Sequence, residues 1–164
     1  ISLFNQDIGL WDVSNVTDMS LMFFVSVFNR DISSWDVSGV TNMRGMFGLS
    51  KFNQHIGSWD VSKVTDMGGM FTLSQFNQSI ESWNVSNVTD MSSMFALSQF
   101  NQPLGSWDVS SVVDMSHMFD QCLNYNQDLG SWNVDNVILC ENFSVITTSW
   151  TLPKPNFKNC DPGF

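Results

Sequence analysis

Tryptophan returns on a fixed beat, and that beat limits what this chain can fold into more than any other feature. Trp11, Trp35, Trp59, Trp83 and Trp107 stand 24 residues apart, and Trp132 follows after 25. The aromatic that opens each unit keeps the same interval, at Phe4, Phe28, Phe52, Phe76, Phe100 and Tyr125. A unit this short cannot bury its apolar side chains alone, so neighbouring units must stack and share one core. The single longer step comes from one extra residue in Asp120-Gln-Cys-Leu-Asn124, which marks that stretch as a loop.

Within a unit the apolar positions are the opening aromatic, Ile or Leu, Trp, two Val, two Met and Phe. Their mixed spacing fits neither one long helix nor one long strand, but it suits a coil with several short faces. Asp18, Asn42, Asp66, Asp90 and Asp114 precede Met-x-x-Met-Phe, where each could N-cap a short helical turn. Either Phe-Asn-Gln-x-Ile or Trp-Asp-Val could supply one short strand per unit, and the sequence does not choose between them. The expected fold class is therefore an α/β solenoid, a right-handed leucine-rich-repeat-like coil. It has six repeats of 24–25 residues, each with one short parallel strand and one short helical turn. Asn5, Asn29, Asn53, Asn77, Asn101 and Asn126 follow every opening aromatic, and stacked amides at that spacing suit a structural hydrogen-bond ladder.

The repeat fades in the sixth unit, where Ile138-Leu-Cys-Glu-Asn-Phe-Ser144 replaces Thr-Asp-Met-x-x-Met-Phe. Residues 1–143 are expected to form the repeat array, and residues 144–164 a C-terminal cap over its exposed end. No comparable cap stands at the front, which suggests a piece of a longer array. Cys140 occupies the place of a core Met and Cys160 lies in the cap, so these two are expected to pair. Cys122 with Cys140 is the alternative pairing.

Five methionine pairs could in principle hold Cu(I) through paired thioethers. They are Met19 with Met22, Met43 with Met46, Met67 with Met70, Met91 with Met94, and Met115 with Met118. Each pair is followed by Phe, and packing of flexible thioethers beneath aromatics accounts for them better, so all ten are expected in the core. The six tryptophans, if exposed, would make a platform for sugar rings. Their place two residues before a core Val argues that all six are buried. Asp12, Asp36, Asp60 and Asp108 form a column that Ca²⁺ could bridge, though capping of each turn by its own Asp is the simpler account. No cofactor is called for.

Sixteen carboxylates against six Lys and Arg give a net charge of −10, which repels nucleic acid and anionic lipid. No apolar run approaches the roughly 18 residues that span a bilayer, so this segment is not expected to insert directly in a membrane. Phosphate-binding loops, Cys-x-x-Cys and His-Glu-x-x-His are all missing, and neither His55 nor His117 recurs in a fixed place, so the chain is not expected to be an enzyme. Surface positions that vary from unit to unit offer a possible binding face at Asp7, Asp31, His55 and Lys63. Columns of Thr would suit ice, but Thr17, Thr41, Thr65 and Thr89 give way to Val113 and Ile138.

The unit Phe-Asn-Gln-Asp-Ile-Gly-x-Trp-Asp-Val-Ser-Asn-Val-Thr-Asp-Met-Ser-x-Met-Phe at residues 4–23 resembles that of the BspA-like leucine-rich-repeat surface proteins, in the variant common in mollicute lipoproteins. The resemblance covers residues 4 to about 143, with a period one residue shorter than usual. It implies a secreted or surface-anchored protein used for adhesion or protein contacts, with no catalytic residues to carry over. The expected role is thus a non-catalytic extracellular or cell-surface repeat protein with a protein or glycan partner. A structural spacer in a larger extracellular assembly is one alternative. Lattice or polysaccharide binding through a regular face is another.

Overall fold

The segment that begins at the Asp before each Met pair holds the coils together, and it does so without forming a helix. The structure, a computed structural model, describes residues 2–163. In the third coil, the N–H groups of Met67, Gly69, Phe71 and Leu73 donate to the carbonyls of Asp90, Ser92, Met94 and Ala96 in the next coil, at 2.7–2.9 Å. The intervening N–H groups of Met70, Thr72 and Ser74 close tight turns onto Met67, Gly69 and Phe71. Gly68 N–H donates to Asp66 Oδ1 at 2.8 Å. Every N–H from Met67 to Ser74 is therefore satisfied, alternately by the neighbouring coil and by its own turn.

This pattern corrects the expected α/β solenoid. A helical turn would send these N–H groups back to carbonyls four residues earlier, and half of them are instead spent on the next coil. Among the described residues none is helical, and parallel pairing is confined to single bridges from Asp18 through Asn42, Asp66, Asp90 and Asp114 to Leu139, with one more between Ser2 and Ser26. Neither Phe-Asn-Gln-x-Ile nor Trp-Asp-Val forms the expected strand. Their N–H groups go to side-chain acceptors and local turns, as when Asn77 N–H reaches Asn53 Oδ1 and Trp83 N–H reaches Ile80 O. The inter-coil ladder thus runs through the one segment that looked helical.

The path also needs residues with left-handed backbone. Gly45 and Gly69 supply it at φ 63° and 62°, as the third residue of the first turn. Ser93 takes the same place in the next coil at φ 55°, and four residues after these three, Leu49, Leu73 and Leu97 adopt φ 51–54°. Such a conformation costs about 1–2 kcal/mol for a residue with a Cβ. It persists because each leucine N–H is tied to the following coil, Leu73 to Ala96 O at 2.8 Å, for example.

Two columns of phenylalanine zip together along the axis of the stack. Phe47, Phe71 and Phe95 stack on one another at 5.8 Å, and Phe52, Phe76 and Phe100 do so at 6.2–6.3 Å. Across the columns Phe47 meets Phe52 at 4.0 Å and Phe71 meets Phe76 at 4.1 Å. Offset ring pairs of this kind add about 0.5–1.5 kcal/mol each beyond simple burial.

The methionines follow their expected place in the core with one exception. Met43 and Met46, Met67 and Met70, Met91 and Met94, and Met115 and Met118 are all fully buried beside these rings, and Met19 is buried with them. Met118 is also part of the ladder, since its carbonyl accepts Phe95 N–H at 2.9 Å while its own N–H closes the turn onto Met115. Met22 departs from the expectation, being 42% exposed at the end of the stack of described coils.

The C-terminal residues cover the sixth coil as a shortened seventh one. Trp150 lies 25 residues after Tyr125, in the opening-aromatic position, and meets it edge-on at 4.7 Å. Thr151 N–H donates to Asn126 Oδ1 at 2.8 Å, extending the asparagine ladder by one rung. In the sixth coil Phe143 stands where earlier coils have their second Met, and Ser144 where they have Phe. The missing ring is replaced by Trp150, 5.3 Å from Phe119. Ile1 and Phe164, the outer limits of the two expected regions, lie outside the described residues.

Met70 and Met22 occupy the same repeat position, one inside the stack and one at its open end. Met70→Gln should lower unfolding stability by about 2–5 kcal/mol. Met22→Gln should change it by less than about 0.5 kcal/mol. Urea unfolding of both variants measures the difference, and equal losses would contradict the packing described.

Candidate functional site

The asparagines that follow the opening aromatics form a continuous ladder up one flank. Asn5, Asn29, Asn53, Asn77 and Asn101 each accept, through Oδ1, the backbone N–H of the asparagine in the next coil, at 2.9 Å in every case. Gln54, Gln78, Gln102 and Gln127 donate to the same oxygens at 3.0–3.2 Å. The side-chain NH₂ groups of Asn53, Asn77 and Asn101 make no hydrogen bond within the described residues. Beside them Gln75, Gln99 and Asn124 precede the buried aromatics, and these two rows wall an open groove of about 750 Å³ that ends at Ser149. The ladder was legible in the sequence as structure. The groove was not, because it needs the alternation of outward amides around each inward ring.

The other sequence-predicted residues fall into two groups. Trp35, Trp59, Trp83, Trp107 and Trp132 are buried, and each indole N–H donates to the Ile or Leu carbonyl of the preceding coil at 3.0–3.2 Å. Trp11 departs from the expectation that all six are buried, being 56% exposed. Among the described residues no coil packs on that side of its ring. Cys140 and Cys160 form a disulfide with Cα atoms 5.8 Å apart, while Cys122 is a buried free thiol. Burial pushes that thiol up to about 11, which keeps it protonated and unreactive at neutral pH.

Asp12, Asp36, Asp60 and Asp108 each cap the N–H of the serine two residues on, at 3.0–3.1 Å. Serine hydroxyls first, and these N–H groups second, hold all four carboxyls below the usual carboxylate range. Asp36 also feels the like charges of Asp12 and Asp60, which oppose the shift. The four carboxylates serve their own turns, and among the described residues no three His, Cys, Asp or Glu side chains gather as metal ligands would. The second acidic column, at the ladder, is interrupted by Asn42 and bridged by Arg44, which meets Asp90 at 2.8 Å and Asp66 at 3.4 Å.

Asp7, Asp31 and His55 share one exposed column, and Lys63 lies in another. That second column is less free than its variability suggested. Its asparagines stitch coils together, with Asn87 and Asn136 donating to Ser62 O and Ser110 O at 2.7 Å.

A profile of the family described as Mycoplasma protein of unknown function, DUF285, matches residues 1–73 and again residues 48–150. The chain belongs to that family. The two matches overlap over residues 48–73, about one coil. The leucine-rich assignment has no support in the path of the DUF285 backbone, which lacks both the helical turn and the strand. Neither a curated protein nor a solved structure matches the chain. No helix among the described residues is long and apolar enough to cross a membrane.

The aspartate caps carry a pH dependence whose sign is fixed. Because their folded-state pKa values are depressed, their stabilisation is present above the unfolded carboxylate range and is lost as pH falls through the folded values. The melting temperature should therefore drop on acidification below about pH 4. Replacing Asp12, Asp36, Asp60 and Asp108 by Asn together should flatten that drop, as followed by thermal denaturation at successive pH values. An acid limb unchanged by the four substitutions would show that the caps do not contribute.

Proposed function

We propose that this DUF285 chain is a non-catalytic contact module of a secreted or cell-surface protein, acting in adhesion or protein–protein interaction. The observation that carries this reading is the amide-walled groove of Gln75, Gln99, Asn124, Asn53, Asn77 and Asn101. It crosses several coils on one flank, and its amide groups offer donors and acceptors to an extended polar partner such as a peptide backbone. The net charge of −10 turns nucleic acid and anionic lipid away from that flank. A Cys140–Cys160 disulfide suits an oxidising, extracellular compartment. The resemblance of residues 4–23 to BspA-like surface proteins supports the same location and role, apart from any question of fold.

A glycan is the second reading, and the amide lining of the groove favours it too, since hydroxyls pair well with such groups. A spacer role would leave the groove unused. Gln75→Lys with Gln99→Lys places two bulky cations on the groove wall, at positions whose side chains face solvent. Beads coated with the wild-type chain should be retained on immobilised extracellular proteins, and beads coated with the double variant should not, at an unchanged melting temperature. Equal retention of both would remove the groove from the binding surface. Retention on a glycan array alone would replace a protein partner by a saccharide, and no retention on either would favour the spacer.

A further inference from the structure

An apolar stripe runs beside the amide groove and covers the same coils. Leu49, Leu73 and Leu97 are 42–47% exposed. They stand two residues before Lys51, Gln75 and Gln99, with a buried serine between in each case. Around each of these coils the outward residues therefore run leucine, then Lys or Gln, then asparagine. Val25, before the stripe, is half-buried, and Gln121 takes the leucine place after it. The stripe is thus confined to the three coils whose Asn53, Asn77 and Asn101 carry unbonded side-chain NH₂ groups into the groove. All three leucines hold left-handed backbone, at a cost of about 1–2 kcal/mol each that Gly or Asn largely avoids. An apolar side chain kept three times at an exposed and strained place marks a surface with something to touch.

We infer that this flank binds a short polypeptide in extended conformation, laid along the stack at two residues per coil with every second side chain on the leucines. The inference rests on the groove being the contact surface, and the spacing of the coils chooses the occupant. Phe52, Phe76 and Phe100 are near-parallel copies of one ring, 6.2–6.3 Å apart with planes 4–8° from each other. They measure the step from coil to coil at the asparagines next to them, and it is wider than the 5.8 Å between Phe47, Phe71 and Phe95 near the ladder. A strand repeats its carbonyl direction every second residue, over about 6.4–6.8 Å. One carbonyl in two therefore meets the NH₂ groups of Asn53, Asn77 and Asn101 in turn. N–H groups on the same edge of the strand meet Gln75, whose side chain is unbonded among the described residues, and Gln99, whose Oε1 accepts only Asn124 Nδ2 at 3.2 Å. With its carbonyls on the amides, the strand sends side chains out at right angles, alternately to either side. Those on one side cross to the leucines. Three coils hold about six such residues. A saccharide can pair with the amides but brings no alternating apolar groups to the stripe.

A phage-displayed library of random dodecamer peptides, panned on the immobilised chain, tests this. Enriched peptides should carry apolar residues at every second position of the bound stretch, and their synthetic forms should bind the chain by fluorescence polarisation. Leu73→Asn with Leu97→Asn installs residues that tolerate left-handed backbone, so the melting temperature should hold or rise. The enriched peptides should bind that variant about tenfold more weakly or worse, for want of the apolar contact. They should also bind Gln75→Lys with Gln99→Lys more weakly. Binding that survives the leucine changes but is lost with the glutamine changes overturns the inference and leaves the groove as the contact surface. Binding indifferent to the glutamine changes overturns both. Enriched peptides without the alternation, or no enrichment at all, also sink the inference, and retention on a glycan array would then give the groove to a saccharide.

Discussion

A ladder of four backbone hydrogen bonds from each coil to the next, reinforced by others such as Thr89 N–H to Thr65 O, sets everything else in this structure. The four leave from alternate residues of the Asp-Met-x-x-Met-Phe segment and fix each coil at one register against the next. Once that register holds, identical side chains fall above one another, and the sequence needs only residues that tolerate being stacked on themselves. Phenylalanine does so by offset ring stacking, methionine by flexible packing, and asparagine by donating from its backbone and accepting at its side chain. Aspartate does not, because like charges repel. Both acidic columns are accordingly relieved, one by Asn84 and Asn133 and the other by Asn42 and Arg44.

The ladder also explains why this segment resists its apparent helical preference. Asp before an apolar run three residues apart is a helix start in most contexts, and Met19 with Met22 or Met67 with Met70 fit that reading. What the sequence pattern leaves out is the neighbour 24 residues away, which offers carbonyls that a helix would have left unpaired. Gly45 and Gly69 are the local trace of the actual path, since left-handed backbone interrupts a helix. Leu49, Leu73 and Leu97 gave no such sign, because leucine at positive φ is held only by contacts that no single unit contains.

Other features were legible because they depend on period alone. The stacking of units, the buried columns and the asparagine ladder follow from residues that return every 24 positions. The Cys140–Cys160 pair could be read because Cys140 falls on a core column. Position along the stack was harder to read. Trp11 and Met22 carry the same residue types as buried counterparts such as Trp107 and Met118, and differ in standing at the end of the stack of described coils. Thr151 and Trp150 look unlike a repeat, since the truncated coil keeps the ladder contacts with different side chains. The amide groove lies between these cases: its residues repeat, but its shape comes from the inward turn of Phe76 and Phe100 between outward amides.

A contact role draws on the same economy. Each coil spends its apolar side chains and most of its backbone groups on its neighbours, so the flanks are free to differ without unfolding the stack. The account rests on the inter-coil ladder, and NMR scalar couplings across hydrogen bonds observe it directly. Correlations should link the amide nitrogens of Met67, Gly69, Phe71 and Leu73 to the carbonyl carbons of Asp90, Ser92, Met94 and Ala96. Correlations instead from each of these amides to the carbonyl four residues earlier would mean that the segment is helical, and would contradict the structure described.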